Sequence, residues 1–416
     1  MKIVIAGAGI GGLTAALSLH AAGFSDVTVL EAARHIQQLG VGINLPPHAV
    51  RELDELGLHE GVAAFGIPTA ELAYIDSAGR LINAEARGLE AGYRWPQYSV
   101  HRGKLQDLLL DAVRSRLGPQ AVIAGQRVQE VHYDTERATV RTVGHDGATS
   151  TCEADVLIGA DGIRSAVRGA LYGQQAPLAT NGWTMFRGTA EGQPFRGGRA
   201  MVIVGDEHLR CVVYPIGPGM LNWLIVRPTG PEGAGELGNW NRPVAPETVA
   251  GYVSHWDFDW LDIPALVRRS PAAYEYPMAD IDPLPRWTFG PVTLLGDAAH
   301  AMYPFGSNGA SQAIIDARVL AYQLATQPDR DAALAAYEQL RRETVGAVQL
   351  ANRSMAGDVM KRVSTLARAS DHASAAAELE RVEQSYRKLA GFDVAALNER
   401  PSWSVARDPG MAVPPR

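Results

Sequence analysis

The feature of this sequence that most restricts its fold is a glycine pattern close to the amino terminus. Gly7, Gly9 and Gly12 satisfy G-x-G-x-x-G, with Gly11 inside the same turn, after an apolar strand and before a helical pattern. In such a turn the first glycine permits the tight bend, the second lets a pyrophosphate approach the backbone, and the third lets the helix pack on the strand. A second apolar strand at 27–30 completes a βαβ unit, which predicts a parallel sheet that binds a dinucleotide.

The residue that ends this second strand fits the same prediction. Glu31 lies nineteen residues after Gly12, where a carboxylate can accept hydrogen bonds from a ribose diol, and Ala32 follows it. A second G-x-G-x-x-G, at 233–238, has prolines before it and no helical pattern after it, which predicts a surface loop. We therefore expect one dinucleotide fold, which a nicotinamide cofactor would visit without a Rossmann domain of its own.

Two further turns follow apolar strands much later in the chain. Asp161 and Gly162 follow the strand 155–158, and Asp297 follows the strand 292–295. Each turn alone is a weak signal, because strand-Gly-Asp turns are common. In order with the first turn, at about positions 10, 160 and 300, they form a specific arrangement.

The texture of the sequence predicts two domains and a helical end. A chain of 416 residues suits one dinucleotide-binding domain plus a smaller lobe. Aromatic-rich strands with many Gly and Pro predict that this lobe is a mostly antiparallel sheet inserted into the cofactor domain. The predicted boundaries are 1–70, 99–175 and 276–335 for the discontinuous dinucleotide-binding domain, 71–98 and 176–275 for the substrate-binding sheet, 336–400 for a C-terminal helical region and 401–416 for a tail.

Charge, cysteine content and apolar runs exclude several classes of function. The net charge of -7 gives no electrostatic reason to expect nucleic acid or anionic membranes as partners. The two cysteines, Cys152 and Cys211, make no disulfide framework, which favours a reducing, cytoplasmic compartment. The apolar start resembles a signal peptide, but its glycine spacing fits a phosphate loop better. No apolar run reaches the ~18 residues of a membrane-spanning helix, so we expect a soluble protein.

The three turns together resemble those of the FAD-dependent aromatic hydroxylases, the single-component (group A) flavoprotein monooxygenases that include salicylate and 4-hydroxybenzoate hydroxylases. The resemblance extends to about residue 350, and it makes the expected fold an α/β fold with a Rossmann-like FAD-binding domain. Within the family it is strongest to the phenazine-modifying monooxygenases of pyocyanin biosynthesis, through the segments 39–44, 98–106 and 306–313.

The resemblance implies a set of cofactor-binding residues. These are Gly7, Gly9, Gly11, Gly12, Glu31, Ala32, Gly42, Ile43, Arg102, Val128, Asp161, Gly162, Asp297, Pro304, Gly306, Asn308 and Gly309. Asp297 would bind the ribitol, Arg102 the pyrophosphate, and Val128 the adenine through its backbone. Asp161 and its turn would serve both FAD and the nicotinamide cofactor. The segment 306–310 would begin a helix that points at the flavin pyrimidine ring.

The resemblance also implies that the chemistry is carried by the flavin and not by a side-chain triad. NAD(P)H would reduce FAD, and a flavin C4a-hydroperoxide formed with O₂ would transfer one oxygen atom to an aromatic or heteroaromatic small molecule. The sequence agrees to the extent that it contains no nucleophile–base signature and no metal cluster, so no catalytic side chain and no metal site are predicted. His300 has no second ligand at a metal-like spacing, which favours a structural histidine.

The predicted substrate pocket lies between the flavin and the aromatic-rich sheet. Its residues are Trp183, Met185 and Arg187, which alternate along one strand, Tyr214 and Trp223 on neighbouring strands, and Pro304 above the flavin. Arg187 would anchor a carboxylate or phenolate, or else form a structural ion pair. Each of these residues could equally belong to a packed sheet core.

Other reactions and a non-catalytic role stay open. Epoxidases, Baeyer–Villiger enzymes and halogenases share the cofactor fold, but the halogenase signature W-x-W-x-I-P has only a wrongly spaced counterpart at 256–264. A flavoprotein fold used only for binding is a further alternative. The phenazine resemblance favours an aromatic or heteroaromatic carboxylic acid that is hydroxylated with loss of CO₂.

Overall fold

The computed structural model describes residues 1–36, 40–174, 177–229 and 242–405. Its strands are β1 Ile3–Ala6, β2 Val27–Glu31, β3 Gly42–Leu45, β4 Ile67–Thr69, β5 Glu71–Ile75, β6 Leu81–Ala86, β7 Gln97–His101, β8 Val122–Ala124, β9 Gln126–Tyr133, β10 Ala138–Gly144, β11 Thr149–Ala154, β12 Val156–Gly159, β13 Ala179–Glu191, β14 Ala200–Gly205, β15 Arg210–Gly217, β16 Met220–Pro228, β17 Arg242–Val244, β18 Ala273–Asp280, β19 Thr288–Phe289 and β20 Val292–Leu294.

The helices are α1 Ile10–Ala21, α2 Pro47–Glu55, α3 His59–Ala63, α4 Arg102–Leu117, α5 Ala166–Tyr172, α6 Pro246–Tyr252, α7 Ile263–Arg268, α8 Asp297–His300, α9 Gly309–Thr326, α10 Arg330–Ser354, α11 Met360–Arg368, α12 His372–Leu389 and α13 Val394–Glu399. A π-helical turn at Met355–Val359 joins α10 to α11, and short 3-10 turns lie at Gly88–Ala91, Pro119–Ala121, Arg196–Gly198 and Phe305–Ser307. Among the described residues, every helix is too short or too polar to cross a membrane.

A six-stranded sheet forms the nucleotide-binding domain, in the order β19-β20-β12-β1-β2-β8. All its pairs are parallel except the edge pair β19–β20. The four residues of β1 are buried and apolar because helices cover a parallel sheet on both faces. The expected Rossmann-like parallel sheet is confirmed.

The strand order of this sheet brings the three predicted turns to one edge. The strands β1, β12 and β20 are neighbours, and the carboxyl ends of parallel strands meet on the same side of a sheet. Backbone hydrogen bonds join the turns directly. The Ala160 N–H donates to the Ala6 carbonyl (2.8 Å), and the Leu295 N–H donates to the Gly159 carbonyl (2.9 Å). Segments separated by about 150 residues of sequence therefore form one continuous surface.

An eight-stranded sheet forms the second lobe, in the order β17-β18-β13-β16-β15-β14-β5-β6. Its pairs are antiparallel except β14–β5, as expected for a mostly antiparallel inserted sheet. One face packs on α6 and α7 around Trp223, Ile225 and Leu266. The predicted division at 275/276 lies within β18, which continues the sheet to Asp280.

The C-terminal helices return to the body of the molecule. The helix α10 packs on α9, and α11 and α12 cover the face of the second sheet near Leu72 and Tyr74. The helical pattern expected across this region is interrupted by the π turn and by Ser370, which has a φ of 60°. The expected tail beyond 405 and the second glycine motif at 233–238 lie outside the described residues.

Candidate functional site

A cavity of about 710 Å³ lies between the two sheets and the C-terminal helices. This volume is within the range of small-molecule and cofactor sites, roughly 300–1,000 Å³. Of the predicted cofactor residues, the cavity wall contains Gly9, Gly11, Gly42, Ile43, Arg102, Gly162, Asp297, Pro304, Gly306, Asn308 and Gly309. Of the predicted substrate residues, it contains Met185, Arg187, Tyr214 and Pro304.

The first turn has the geometry that its glycines predict. Gly7 has a φ of +106°, and a Cβ there would overlap the Ala160 carbonyl. A Cβ on Gly12 would overlap the Gly7 carbonyl, so this glycine allows α1 to pack on β1. A Cβ on Gly9 would meet no atom within 4 Å, which leaves the backbone open to a ligand. Gly11 is closed instead, because a Cβ there would lie 2.8 Å from Leu295.

Glu31 closes this turn from the end of β2. Its carboxylate accepts hydrogen bonds from the backbone N–H groups of Ala8 (2.8 Å) and Ala33 (2.7 Å). Each carboxylate oxygen has a second lone pair, so the group can still accept from a ribose hydroxyl. Ala32 follows Glu31 and is not among the described residues that line the cavity.

Asp161 holds the second turn together and does not point into the cavity. Its carboxylate accepts from the Ser165 hydroxyl and from the backbone N–H groups of Ala166 (2.7 Å) and Val167 (3.2 Å), at the start of α5. Burial raises the pKa of this carboxyl. The Asp161 side chain is used in capping the helix, and Gly162 lies in the cavity wall at this turn, so its expected contact with cofactors stays a prediction.

The third turn and the loop after it form the longest continuous part of the wall. Asp297 begins α8, directly after Gly296, whose φ is +61°. The segment 304–310 then lines the cavity without interruption and leads into α9. Within it Gly306 and Ser307 both have a positive φ, of 68° and 56°. This backbone conformation is strained for serine, which has a Cβ, so the surrounding residues must hold Ser307 in it.

Buried polar side chains support this loop from behind. The Asn308 side-chain amide donates to the Tyr386 hydroxyl (2.9 Å), which in turn donates to Asn352 Oδ1 (2.7 Å). Asn308 Oδ1 also lies 3.0 Å from His48 Nε2. Burial lowers the pKa of His48 to about 3, against the opposing effect of the hydrogen bond to Asn308, so this histidine is neutral.

Two hydrogen bonds connect Gly42, at the start of β3, to the second sheet. Gly42 N–H donates to Asn222 Oδ1 (2.6 Å), and the Gly42 carbonyl accepts from Arg187 (3.0 Å). Arg102 begins α4 in the cavity wall. Val128 is buried in β9 within the core of the nucleotide domain, so its expected contact with adenine is not part of the described wall.

The substrate sheet presents one alternate row of residues to the cavity and a different row to the core. In the register of β13 and β16, Arg187 pairs with Leu224, and both line the cavity. Trp223 is one residue out of phase, and its indole N–H donates to Ser270 (2.7 Å) on the opposite face. The prediction that Trp223 lines the pocket is therefore wrong, because successive strand residues face opposite sides.

Arg210 is a cavity residue that sequence reasoning missed. Alternate residues of β15 line the cavity: Arg210, Val212 and Tyr214. The alternation that predicted Tyr214 could therefore have predicted Arg210 as well. Arg210 is 3% exposed, and its guanidinium carbon lies 4.9 Å from the centre of the Trp183 ring. Trp183, which the sequence placed in the pocket, is therefore packed beneath this arginine and is not among the described residues that line the cavity. Its one hydrogen bond in the described part of the chain runs to the Ala356 carbonyl (3.2 Å).

Two of the arginines in the cavity wall, Arg187 and Arg210, have unused hydrogen-bond donors. Within the described residues, Nε and Nη1 of Arg210 and Nε of Arg187 have no partner. Burial lowers the pKa of Arg210 to about 10 and lowers that of Arg187 as well. Arg187 lies 5.2 Å from the Tyr276 ring centre. Neither arginine has a carboxylate within ion-pair distance among the described residues, so the alternative of a structural ion pair for Arg187 has no support there.

The rest of the wall is apolar and rich in methionine. Six of the nine methionines of the chain line this cavity: Met185, Met201, Met278, Met302, Met355 and Met360. Thioether side chains are flexible and make favourable contacts with aromatic rings. At the far end of the cavity Arg87 and Glu383 form a buried ion pair (2.8 Å). The C-terminal helices thus contribute to the site, which the sequence did not indicate.

Two other predicted or alternative sites lie away from the cavity. His300 is fully buried and bonds to Asp316 (2.6 Å), which also binds Arg341 (2.7 Å). The expectation of a structural histidine is confirmed. The halogenase-like segment packs Trp256 and Trp260 into the core on the other face of the second sheet, so it does not meet the cavity as described.

The residues at the nucleotide end of the cavity fit FAD. The open space above Gly9 suits a pyrophosphate, and the turn leads into a twelve-residue helix whose positive end attracts phosphate. Glu31 suits the ribose of an adenosine and Asp297 a polyol chain. The amino end of α9 borders the region between them and the second sheet, where an isoalloxazine ring would lie.

Comparisons with known proteins agree with this geometry. Residues 1–351 match the family described as FAD binding domain. The chain is 46% identical over 361 residues to phenazine 1,6-dicarboxylic acid hydroxylase of Lysobacter antibioticus, covering 84% of this chain and 89% of that enzyme. It is 33% identical over 362 residues to 3-hydroxybenzoate 6-hydroxylase 1 of Aquipseudomonas alcaligenes, covering 85% and 88%. HpxO of Klebsiella pneumoniae, complexed with FAD and uric acid, is similar in structure with a TM-score of 0.77 and 26% identity, covering 94% of this chain and 96% of that one.

Proposed function

Because the chain belongs to the FAD binding domain family, we propose that it hydroxylates a flat, multi-ring heteroaromatic carboxylic acid. FAD as the cofactor and aromatic hydroxylation as the class of reaction, both expected from the resemblance, are confirmed by the family match and the curated relatives. NAD(P)H remains the expected electron donor. The substrate itself is the proposal, and the named substrate of the phenazine relative supports it.

The observation that carries the proposal is the buried guanidinium of Arg210. Burying a cation without an ion pair costs several kcal/mol unless a ligand completes its coordination. Arg210 is 3% exposed, and two of its nitrogens have no partner among the described residues. A carboxylate at this end of the cavity could accept a charge-assisted hydrogen bond from the guanidinium, whose Nη2 is already bonded to the Ala356 carbonyl. The Arg187 side chain offers a second donor on the same sheet face, so an acid with two anionic groups also fits.

The apolar wall suits the ring system of such an acid. The six methionines give a flexible, polarisable surface for a planar aromatic molecule. Burial raises the pKa of the Tyr214 hydroxyl to about 12, so at neutral pH it stays a hydrogen-bond donor in the same wall. Together the arginines would fix the orientation of the ring, and the apolar side chains would exclude water from it.

Bound FAD supplies the redox chemistry, taking two electrons from NAD(P)H and activating O₂. The task of the protein is then to bind, orient and dry the substrate. For a version with decarboxylation the balance is Ar–COOH + O₂ + NAD(P)H + H⁺ giving Ar–OH + CO₂ + NAD(P)⁺ + H₂O. One oxygen atom enters the ring, and the other leaves as water.

The anchoring role of Arg210 is tested by kinetics on matched substrates. A phenazine carboxylic acid and its primary amide are compared with the wild type, Arg210→Gln and Arg227→Gln. We expect Arg210→Gln to raise KM for the acid by about 10- to 100-fold, the loss of a charged hydrogen bond, and to change KM for the amide by less than about threefold. Arg227, which lies over Tyr252 on the opposite face, is the matched control.

Two outcomes would contradict the proposal. An equal loss for acid and amide would mean that Arg210 does not recognise the carboxylate. Failure of a broad panel of multi-ring acids to accelerate NAD(P)H oxidation would reject the substrate class. With a ¹³C-labelled carboxyl group, release of labelled CO₂ supports the decarboxylating version, and retention of the label in the hydroxylated product assigns the oxygen to another ring position.

A further inference from the structure

The loop at 304–309, which borders the flavin region, is held against the C-terminal helices chiefly through Tyr386. Tyr386, on α12, is 3% exposed and reaches this loop from behind. A Cβ on Gly306 would overlap the Tyr386 hydroxyl, so ring and loop backbone are in close contact. Tyr386, about eighty positions later in the sequence, fills the space behind the loop and so fixes its position.

The Tyr386 hydroxyl has hydrogen-bond partners on the loop and on α10. It accepts from the Asn308 amide (2.9 Å) and donates to Asn352 Oδ1 (2.7 Å), and both asparagines are fully buried. Asn352 on α10 in turn donates to the Tyr303 carbonyl (3.1 Å), just before the loop. One phenol thus connects both ends of the loop to two C-terminal helices.

The loop needs such support because of its own backbone. Ser307 has a φ of 56°, which is unfavourable for a residue with a Cβ and persists only where the surroundings impose it. Asn308 precedes the first residue of α9, but its side chain gives the helix no capping hydrogen bond. The amide instead donates to Tyr386 and to the Gly306 carbonyl (3.1 Å).

The position of this loop matters for the chemistry of a bound flavin. The helix α9 has eighteen residues and begins at Gly309, so its unsatisfied N–H groups and dipole give a positive end at the cavity. Such groups stabilise negative charge where it develops, and reduced flavin is anionic. Their effect falls off within a turn of the helix, so small movements of the loop change it.

We infer that Tyr386 is a positioning residue for the flavin. Through Asn308 it holds the amino end of α9 at the distance that stabilises the reduced cofactor and keeps oxygen transfer coupled to substrate. The effect on oxygen transfer to substrate rests on the proposed function, whereas the effect on the reduction potential of the flavin requires only that FAD is bound.

The inference is tested with Tyr386→Phe, which removes only the hydroxyl, and with a matched control. Tyr93→Phe removes a buried hydroxyl in the same apolar cluster, where it donates to the Phe392 carbonyl (2.6 Å). Both variants are purified with FAD, and the midpoint potential of the flavin and the hydrogen peroxide formed per NAD(P)H consumed are measured. We expect a more negative potential and about threefold more peroxide for Tyr386→Phe, and wild-type values for Tyr93→Phe.

Unchanged potential and peroxide in Tyr386→Phe, or equal changes in both variants, would overturn the inference. If Tyr386→Phe does not fold, Asn352→Asp keeps an acceptor for the Tyr386 hydroxyl and removes only the donor to the Tyr303 carbonyl, whereas Asn352→Ala removes both. A more negative potential in the alanine variant, with a smaller change in the aspartate variant, is the expected result. If no acid is hydroxylated by the wild type, the proposed function fails, but the potential of the bound FAD still decides the role of Tyr386.

Discussion

At the scale of single residues, the cavity is surrounded by polar groups that the protein itself only partly satisfies. Arg210 and Arg187 have unused N–H donors, and Nδ1 of His48 is buried without a partner among the described residues. Unsatisfied buried groups cost about 1–3 kcal/mol each, so they are expected where a ligand completes them or where a function requires them. The two arginines face the cavity, whereas His48 lies behind it.

The neutral state of His48 predicts an acid sensitivity. Burial lowers its pKa from 6.5 to about 3, so the unfolded chain takes up a proton before the folded chain does. Stability is therefore lost as the pH falls below about 6.5, by ~1.4 kcal/mol per pH unit, until the folded pKa is reached. At pH 5 this group alone is expected to cost the wild type about 2 kcal/mol relative to pH 7.

The variant His48→Gln cannot take up this proton, so its loss of unfolding free energy between pH 7 and pH 5 should be smaller by that amount. Denaturant unfolding of both proteins at the two pH values measures the difference. Equal losses would show that His48 is protonated in the folded protein or does not control the acid limb.

At the scale of elements, the turn between β1 and α1 makes two different demands on its glycines. Gly12 is needed for packing, since a Cβ there overlaps the Gly7 carbonyl. Gly9 has an ordinary φ of -74° and open space around it, so only a ligand requires its small size.

These demands predict opposite results for two alanine substitutions. Gly12→Ala should destabilise the apoprotein by about 2 kcal/mol or more, because backbone must move to admit the methyl group. Gly9→Ala should leave apoprotein stability within about 0.5 kcal/mol of the wild type but weaken FAD binding at least about tenfold. Thermal unfolding without FAD and flavin titration separate the two effects, and a stable, FAD-binding Gly12→Ala protein would refute the packing argument.

Elements with a local pattern were the ones that sequence predicted well. The first turn, its strand and its helix follow from glycine spacing and apolar runs, and the parallel sheet follows from them. Which residues of a strand face the cavity is harder to predict, because alternation divides the strand into two faces without showing which face meets the cavity. Trp223 was assigned to the cavity and faces the core, whereas Arg210 was overlooked and faces the cavity.

Beyond the meeting of the three turns, side-chain contacts between distant segments could not be predicted. Asp161 fits the cofactor motif in sequence, and the helix start after it follows from the local pattern, but the hydrogen bonds that turn its carboxylate toward that helix are known only from the fold. The role of Tyr386 depends on where α12 returns, and no local pattern encodes that position.

At the scale of the whole molecule, the site is shared between segments that the family match does not fully cover. The match ends at residue 351, whereas the cavity wall continues through Met355, Leu379 and Phe392. These residues belong to the π turn, to α12 and to the segment that follows α12. The C-terminal helices are thus part of the binding site and not an appendage to it.

A chain shortened to end after Ser354 is therefore expected to lose its cofactor. It should retain less than about one tenth of the wild-type FAD and bind more of a hydrophobic dye, because the sheet face near Leu72 and Ile203 is uncovered. The flavin-to-protein absorbance ratio after purification and dye fluorescence measure both effects. A chain that ends after residue 405 is the control, and full FAD retention by the shorter chain would reject the assignment.

The spread of this cavity over the sequence has a consequence for biosynthesis. Its walls begin at Gly9 and end at Phe392. With ribosomal elongation at ~5–20 residues per second, the first turn is made roughly 20–80 s before the last wall segment. During that interval a nascent chain has a phosphate loop but no enclosed pocket. We therefore expect flavin to load after translation, onto completed apoprotein.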